Sequence, residues 1–283
     1  MKIGLIGNNI STSNAPDIHI RLAKIFQIPL EYLLFDLKDK EENYFVVLLE
    51  ELRVKGFKGV NITFPFKEKV IKHVDNISKN SRNIGSANTL IFKNKITAHN
   101  TDYTGFLKTY DFHFGKNTPG TILVLGAGGV SRAVTFALAS LGVEKIFLID
   151  KDKFKADSLS KDLTLLNINC VVIKPYEIEK NISSFDGIIN CTPVGHYDFP
   201  GCPLGNLIPN KTQWIFDVVY TPAKTTFIKK GEKVGAKIIS GIDLFIFQAI
   251  DAFLIFTEIK ENKYVLKNYI HELRDYYFNK LYI

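Results

Sequence analysis

Cysteine is scarce in this chain: Cys170, Cys191 and Cys202 are three in 283 residues, an odd count without metal-ligand spacing. That excludes a disulfide framework and fits reduced thiols in a cytoplasmic protein. His73, His99, His113 and His271 show no metal spacing either, so no metal is expected. A long hydrophobic run is also missing. The most apolar stretch, "LFIFQAIDAFLIF" at 244–256, has 13 residues and contains Gln248 and Asp251. It falls short of the roughly 20 residues a bilayer-spanning helix needs, so no membrane partner is expected. The opening "MKIGLIGNN" is too short and glycine-rich for a signal peptide. No basic tail is present: the net charge of +7 comes from 36 Lys and Arg against 29 Asp and Glu spread along the chain. Such an excess favours small anionic ligands. Without an aromatic–basic RNA signature or another recognisable motif, nucleic acid is not expected as a partner.

What the chain has is apolar residues in short, regularly spaced groups. Hydrophobic residues make up 46% and charged residues 23%, enough for a sizeable core. "KIGLIG" reads as a strand, Pro16 to Ile28 as a helix, "LEYLLFDL" as a strand, and Glu42 to Lys55 as a helix. "GVNIT" is again a strand, followed by a helix from about Phe66 to Val74. "ANTLIFKNKITAHNT" reads as a hairpin turning at Lys93-Asn94-Lys95. A helix from about Tyr103 to Phe114 leads to "KNTPG", whose Pro and Gly mark a break. A second series follows, with strands "TILVLG", "KIFLID", "NCVVIK", "DGIIN" and "WIFDVV" separated by helical stretches. Two helical segments, from about Ile242 and from about Lys263, close the chain. Repeated strand–helix alternation predicts an α/β protein of two domains with mostly parallel sheets.

"NITFPFKEKV" at 61–70 poses a chemical question. The strand breaks at Pro65, and Lys67 falls at the head of a helix, where a cation opposes the helix dipole. Lys67 is a poor cap there and a sensible charge if it faces a partner across a site. Phe64 and Phe66 are expected to pack beneath the turn.

"TILVLGAGGVSRA" runs a strand straight into Gly126-Ala127-Gly128-Gly129-Val130 and then a helix. Gly126 permits a tight turn and Gly128 lets a backbone approach a pyrophosphate. The helix N-terminus beyond offers unpaired N–H groups to phosphates. Ser131 stands where Gly or Ala is usual. Asp150, 24 residues past Gly126, is placed to bind a ribose 2′-hydroxyl and select NAD. Lys151, Lys153 and Lys155 could instead neutralise the 2′-phosphate of NADP, so both cofactors stay open at this point.

With these motifs placed, the sequence resembles the shikimate dehydrogenase family, including the quinate/shikimate dehydrogenases. The resemblance runs from about residue 3 to 257. It is carried by "GNNISTSNAPDIH", "NITFPFK", "IGSANTL", "NTDYTGF", "GAGGVSRA", "NCTPVG", "DVVYTPAKT" and "GIDLFIFQ" in the family's order. It implies a substrate-binding domain over 1–102, a Rossmann-type dinucleotide domain over 103–240, and C-terminal helices over 241–283 that return to the first domain. It further implies reversible reduction of 3-dehydroshikimate to shikimate on the chorismate route to aromatic amino acids. NADP is the implied cofactor, with NAD possible, and the protein is expected as a monomer or homodimer.

Carried over by position, Lys67 and Asp102 match the family's catalytic pair. Ser13, Asn61, Thr63, Asn88, Tyr220 and Gln248 match substrate contacts, Ser13 and Tyr220 on the carboxylate. Gly126 to Val130, Asp150, Lys151, Thr192, Val218 and Gly241 match the cofactor side, and Asn190 begins the motif supporting the Thr192 turn. The sequence departs from the family in four places. Ala15 replaces a second carboxylate-binding hydroxyl, Asp150-Lys151-Asp152 replaces the usual Asn-Arg-Thr, and His196 and Leu244 replace Met. Losing a hydrogen bond to a charged group costs about 1.5–3 kcal/mol if nothing replaces it. An NAD-preferring quinate/shikimate dehydrogenase and a non-catalytic ligand sensor on the same scaffold are the competing readings. Retention of Lys67 and Asp102 argues against the sensor.

Overall fold

The structure is a computed structural model describing residues 1–41, 43–260 and 263–282. Contacts divide the chain into two units, Met1–Gly105 with Gln248–Asn262, and Phe106–Phe247 with Lys263–Ile283.

The first unit begins with the apolar strand β1 (Lys2–Gly7), buried from its second residue onward. Helix α1 (Ala15–Ile25), β2 (Glu31–Asp36), α2 (Tyr44–Val54) and β3 (Gly59–Ile62) follow. Helix α2 buries Phe45, Leu48, Leu49 and Leu52, the i, i+3, i+4, i+7 set of one helical face. The expected start of this helix at Glu42 lies outside the described residues. Next come α3 (Phe66–Lys69), continued by a 3-10 turn over Val70–His73, then β4 (Asn76–Ile77) and α4 (Lys79–Ile84). The hairpin β5 (Thr89–Phe92) and β6 (Ile96–His99) turns at the expected place. Strand order is β2-β1-β3-β5-β6-β4. β1 pairs in parallel with β2 and β3, β4 is parallel to β6, and the hairpin makes β5 antiparallel to β3 and to β6. Short β4 carried no apolar run that sequence periodicity could register.

Helix α5 (Thr101–Phe114) leads into the second unit. There β7 (Thr121–Leu125), α6 (Gly129–Ser140), β8 (Lys145–Ile149), α7 (Lys153–Thr164) and β9 (Cys170–Val172) form one half. The other half holds α8 (Pro175–Asn181), β10 (Gly187–Asn190), β11 (Trp214–Asp217), α9 (Thr226–Val234) and β12 (Lys237–Ser240). The order β12-β11-β10-β7-β8-β9 is parallel throughout. Sheet order reverses between β7 and β10, the arrangement in which parallel sheets bind dinucleotides at the strands' C-terminal ends. Strand β12, with an exposed lysine at its first position, was not among the expected strands.

Helices α10 (Gly241–Thr257) and α11 (Lys263–Lys280) end the described chain. By contacts, the division between the units falls inside α5 and inside α10. Only the part of α10 from Gln248 groups with the first unit, whereas α11 groups with the second.

Candidate functional site

In the first unit, β3 delivers Asn61 and Thr63 to the start of a turn, and β6 delivers the chain to Asp102. The turn is fixed by backbone bonds: Thr63 N–H donates to the Ile6 carbonyl at 2.9 Å and Asn8 N–H to the Phe64 carbonyl at 2.9 Å. Phe66 packs inward, stacked on Phe45 with ring centroids 4.5 Å apart. Phe64, expected to pack as well, is 72% exposed. A single aromatic fills the space beneath the turn, and its neighbour points to solvent. Lys67 is the second residue of α3, and its Nζ lies 2.7 Å from Asp102 Oδ2. The side chains are 19% and 8% exposed, so the pair is largely withdrawn from water. Asp102 Oδ1 accepts no hydrogen bond among the described residues. Asn100 holds Asp102 in place by capping α5: its Oδ1 accepts the Tyr103 N–H at 3.1 Å, and its amide donates to Ser86.

Asn88 is bonded to Thr101, the residue before Asp102. Its Oδ1 accepts from the Thr101 N–H at 2.7 Å and from the Thr101 and Thr89 hydroxyls. Its Nδ2 has no hydrogen-bond partner among the described residues. Asn61 is different. Its Oδ1 accepts from the Tyr32 hydroxyl at 3.0 Å and its Nδ2 donates to Thr89 Oγ1 and the Asn88 carbonyl. Both ends of that amide are engaged internally, which makes Asn61 a support for Asn88 and Thr89. Thr63 is half-buried, and Ser13 Oγ accepts the Ala15 N–H at 3.2 Å in a turn before α1. The Ser13 oxygen thus performs a local structural task, leaving its hydroxyl proton to donate. Gln248 is half-buried on α10, packed against Gly105 three residues beyond Asp102.

In the second unit, Gly126 follows β7 at φ +101°, a conformation that side chains rarely adopt. A Cβ there would also lie 3.0 Å from the Cys191 carbonyl group. Gly128 caps α6, and a Cβ on it would meet nothing within 4 Å. Open space therefore lies at the N-terminus of α6, where Gly129 and Val130 begin the helix, as binding of a pyrophosphate requires. Ser131, the irregular third position, is fully buried and donates to the Gly126 carbonyl at 2.5 Å. The hydroxyl ties helix to turn in a place where Gly or Ala would only pack. Asp150 Oδ2 accepts the Ala127 N–H at 2.6 Å and Oδ1 the Asp152 N–H at 2.7 Å. Asp152 caps α7 through the N–H groups of Phe154 and Lys155. Lys151, Lys153 and Lys155 are exposed.

The turn after β10 is built on Asn190, whose Oδ1 accepts from Thr192 N–H and Oγ1, at 3.0 and 2.6 Å. Its amide donates to Val194 and to Asp217 Oδ1. Asp217, fully buried, also accepts from the Val219 N–H and the Thr225 hydroxyl. Burial pushes its carboxyl up to about 6, against the opposing pull of these donors. Sequence reasoning missed Asp217. The signal was an acid at the end of the apolar strand "WIF", which needs partners once buried. Val218 donates its N–H to the Asn190 carbonyl at 2.9 Å. Gly241 packs so close to the Asp217 and Val218 carbonyls that a Cβ would lie 2.6 Å from each. Tyr220 is half-buried and stacks on Phe245. Burial raises its phenol to about 12, so it stays protonated and can donate. Its hydroxyl has no hydrogen-bond partner among the described residues.

Among the described residues, no group of three or more His, Cys, Asp or Glu side chains could hold a metal, and no helix is long and apolar enough to cross a membrane.

Comparison with known proteins bears on both units. Residues 5–90 match the family profile described as the shikimate dehydrogenase substrate binding domain. A shikimate dehydrogenase (NADP(+)) of Methanococcus maripaludis is 34% identical over 273 residues, covering 95% of this chain and 96% of that protein. A quinate/shikimate dehydrogenase (NAD(+)) of Corynebacterium efficiens is 32% identical over 264 residues, covering 91% and 93%. The solved quinate dehydrogenase of Corynebacterium glutamicum in complex with NAD superposes with a TM-score of 0.88 at 28% identity, covering 99% of each chain.

Proposed function

The chain belongs to the shikimate dehydrogenase family, and we propose that it reversibly oxidises a ring hydroxyl of shikimate to the ketone of 3-dehydroshikimate with a nicotinamide cofactor. The observation that carries this reading is the largely buried Lys67–Asp102 pair at 2.7 Å. A pair kept out of water on a turn of this kind is of little use as a surface salt bridge. It is well suited to handling a proton on a substrate oxygen. A ligand sensor has no need of it.

The residues divide the work by chemistry. The glycine turn and the N-terminus of α6 fit the pyrophosphate. A nicotinamide held there would supply the hydride chemistry. During ketone reduction negative charge develops on oxygen, and the Lys67 ammonium would polarise that oxygen and donate its proton. Asp102 Oδ2 orients the ammonium, and Oδ1 remains to accept from a neighbouring substrate hydroxyl. The free Nδ2 of Asn88 donates to the same region. In alcohol oxidation the pair takes up the proton. Ser13 is proposed as a carboxylate contact, with Ala15 contributing no hydroxyl, and Tyr220 is proposed as a carboxylate contact in its own unit.

NAD is proposed as the preferred cofactor. Asp150 accepts the Ala127 N–H of the glycine turn, and an acid at the end of the second strand of such a fold can bind the ribose 2′-hydroxyl. A 2′-phosphate would face Asp150 and Asp152 together, with the lysines exposed around them. Quinate is the second substrate considered, because Ala15 alters the carboxylate site and an NAD-bound quinate dehydrogenase superposes closely. With shikimate and NADP the enzyme would serve chorismate synthesis. The test is reduced-nicotinamide absorbance with shikimate or quinate and NAD⁺ or NADP⁺. Turnover is expected, with kcat/KM higher for NAD⁺. Ligand binding without turnover in any pairing sinks the enzyme assignment, and a higher kcat/KM for NADP⁺ sinks the cofactor assignment alone.

A further inference from the structure

Helix α11 supplies none of the groups assigned above, yet it braces the turn that carries Tyr220. The Tyr220 ring stacks on Phe245 of α10, with centroids 4.7 Å apart and 21° between planes. Phe245 in turn meets Tyr277 of α11 edge-on, at 5.1 Å and 84°. Tyr277 is completely buried. Three residues past Tyr220, the Ala223 N–H donates to the Leu281 carbonyl at 2.6 Å, just beyond the end of α11. The Lys224 ammonium lies 5.7 Å from the Tyr282 ring centroid. The C-terminal segment therefore holds the turn directly at residues 223–224 and reaches Tyr220 through Phe245.

We propose that Tyr277 is a positioning residue for substrate binding: through Phe245 it fixes the ring of Tyr220, and so the direction in which the Tyr220 hydroxyl donates to the substrate carboxylate. The inference rests on the assignment of Tyr220 as a carboxylate contact. Its physical basis is that no protein acceptor holds that hydroxyl among the described residues. Ring packing is then what remains to orient it, and stacked and edge-to-face pairs have defined geometry. Tyr277 touches neither substrate nor cofactor in this scheme.

The experiment is a double-mutant cycle in steady-state kinetics, with Tyr277→Leu, Tyr220→Phe and the pair together. Tyr277→Leu is expected to raise the KM for shikimate about fivefold or more, with kcat and the cofactor KM changed less than about twofold. Tyr277→Phe, which keeps the ring, restores the KM. In the Tyr220→Phe background Tyr277→Leu adds nothing, because its effect acts through the missing hydroxyl. The methyl ester of shikimate, lacking the anion, shows no change of KM with Tyr277→Leu. Should Tyr277→Leu not fold, Phe245→Leu interrupts the same chain of rings and carries the same expectations. Additive effects in the cycle, or equal losses with acid and ester, overturn the inference. A raised KM for Tyr220→Phe beside an unmoved KM for Tyr277→Leu overturns it while leaving Tyr220 in its role. An unmoved KM for Tyr220→Phe overturns the carboxylate assignment and this inference with it.

Discussion

Gly105 offers a demanding test because stability and function should respond to its substitution by different amounts. It lies on α5, three residues after Asp102, and faces the backbone of Gln248 on α10. A methyl group at Gly105 would lie 2.8 Å from Gln248 N and 3.0 Å from its Cα and Cβ. Comfortable contacts between such atoms are about 3.5–4.0 Å, so the two helices must separate locally by roughly 0.5–1 Å. The adjacent Thr104 hydroxyl donates to Asp251, which ties the same two helices together and resists that movement. Overpacking of this kind costs about 1–3 kcal/mol. Against it stands a gain of about 1 kcal/mol, because alanine is the better residue inside a helix.

The net loss of stability for Gly105→Ala should then be about 0–2 kcal/mol, a fall in Tm of only a few degrees. Function should suffer more. Asp102 and Gln248 sit on the two helices being separated, and a 1 Å misplacement of reacting groups can cost about 100-fold. The expected result is a fall in kcat/KM of more than about tenfold in protein that remains folded at the assay temperature. Differential scanning fluorimetry and nicotinamide absorbance measure the two quantities on one preparation. Unchanged kinetics alongside a normal Tm would refute the close helix approach as a determinant of the site. A kinetic loss accounted for by unfolded protein would refute its local character.

Lys67→Ala is expected to lower kcat by about 10²–10⁴-fold with a smaller change in KM, measured by initial rates; an unchanged kcat contradicts the proton-transfer role. Gly126→Ala places a Cβ at φ +101° and 3.0 Å from the Cys191 carbonyl group. It should cost about 1–3 kcal/mol in urea unfolding and weaken cofactor binding while sparing shikimate binding by the apo protein, read by calorimetry. His19 is fully buried, and burial lowers its imidazole from 6.5 to about 3, so the folded protein keeps it neutral while the unfolded chain protonates below about 6.5. Stability should therefore fall as pH drops from about 6.5 to about 3, by on the order of 5 kcal/mol in all. Urea titrations across that range should show His19→Phe flattening the slope, and an equal slope in the variant would rule His19 out as its source.

Much of this molecule is written in local patterns. The strand–turn–helix at Gly126, the hairpin turning at residues 93–95, and the apolar face of α2 each follow from residues close together in sequence. What sequence could not yield depends on partners brought from far away. Asp217 is an acid buried on an apolar strand, intelligible only once Asn190 and Thr225 meet it. Strand β12 is recognised by its pairing with β11 more than by its own composition. The placement of α11 with the second unit depends on contacts such as Tyr277 with Phe245, for which no periodicity exists.

The same distinction applies within the site, and it separates residues that share a motif. Asn61 and Asn88 look equivalent in sequence, two amides flanking strand ends in recognisable family stretches. Their hydrogen bonds make them unequal. Asn88 has its oxygen saturated by Thr101 and Thr89 and keeps its amide protons, whereas Asn61 spends donors and acceptor alike on Tyr32, Thr89 and the Asn88 carbonyl. A free donor can discriminate between a hydroxyl and a hydrogen on a ligand. A committed amide holds its neighbours in register. Replacing Asn88 should therefore act on substrate selection, and replacing Asn61 on the stability of the frame that presents Asn88, a difference that motif matching cannot draw because it counts both as contacts.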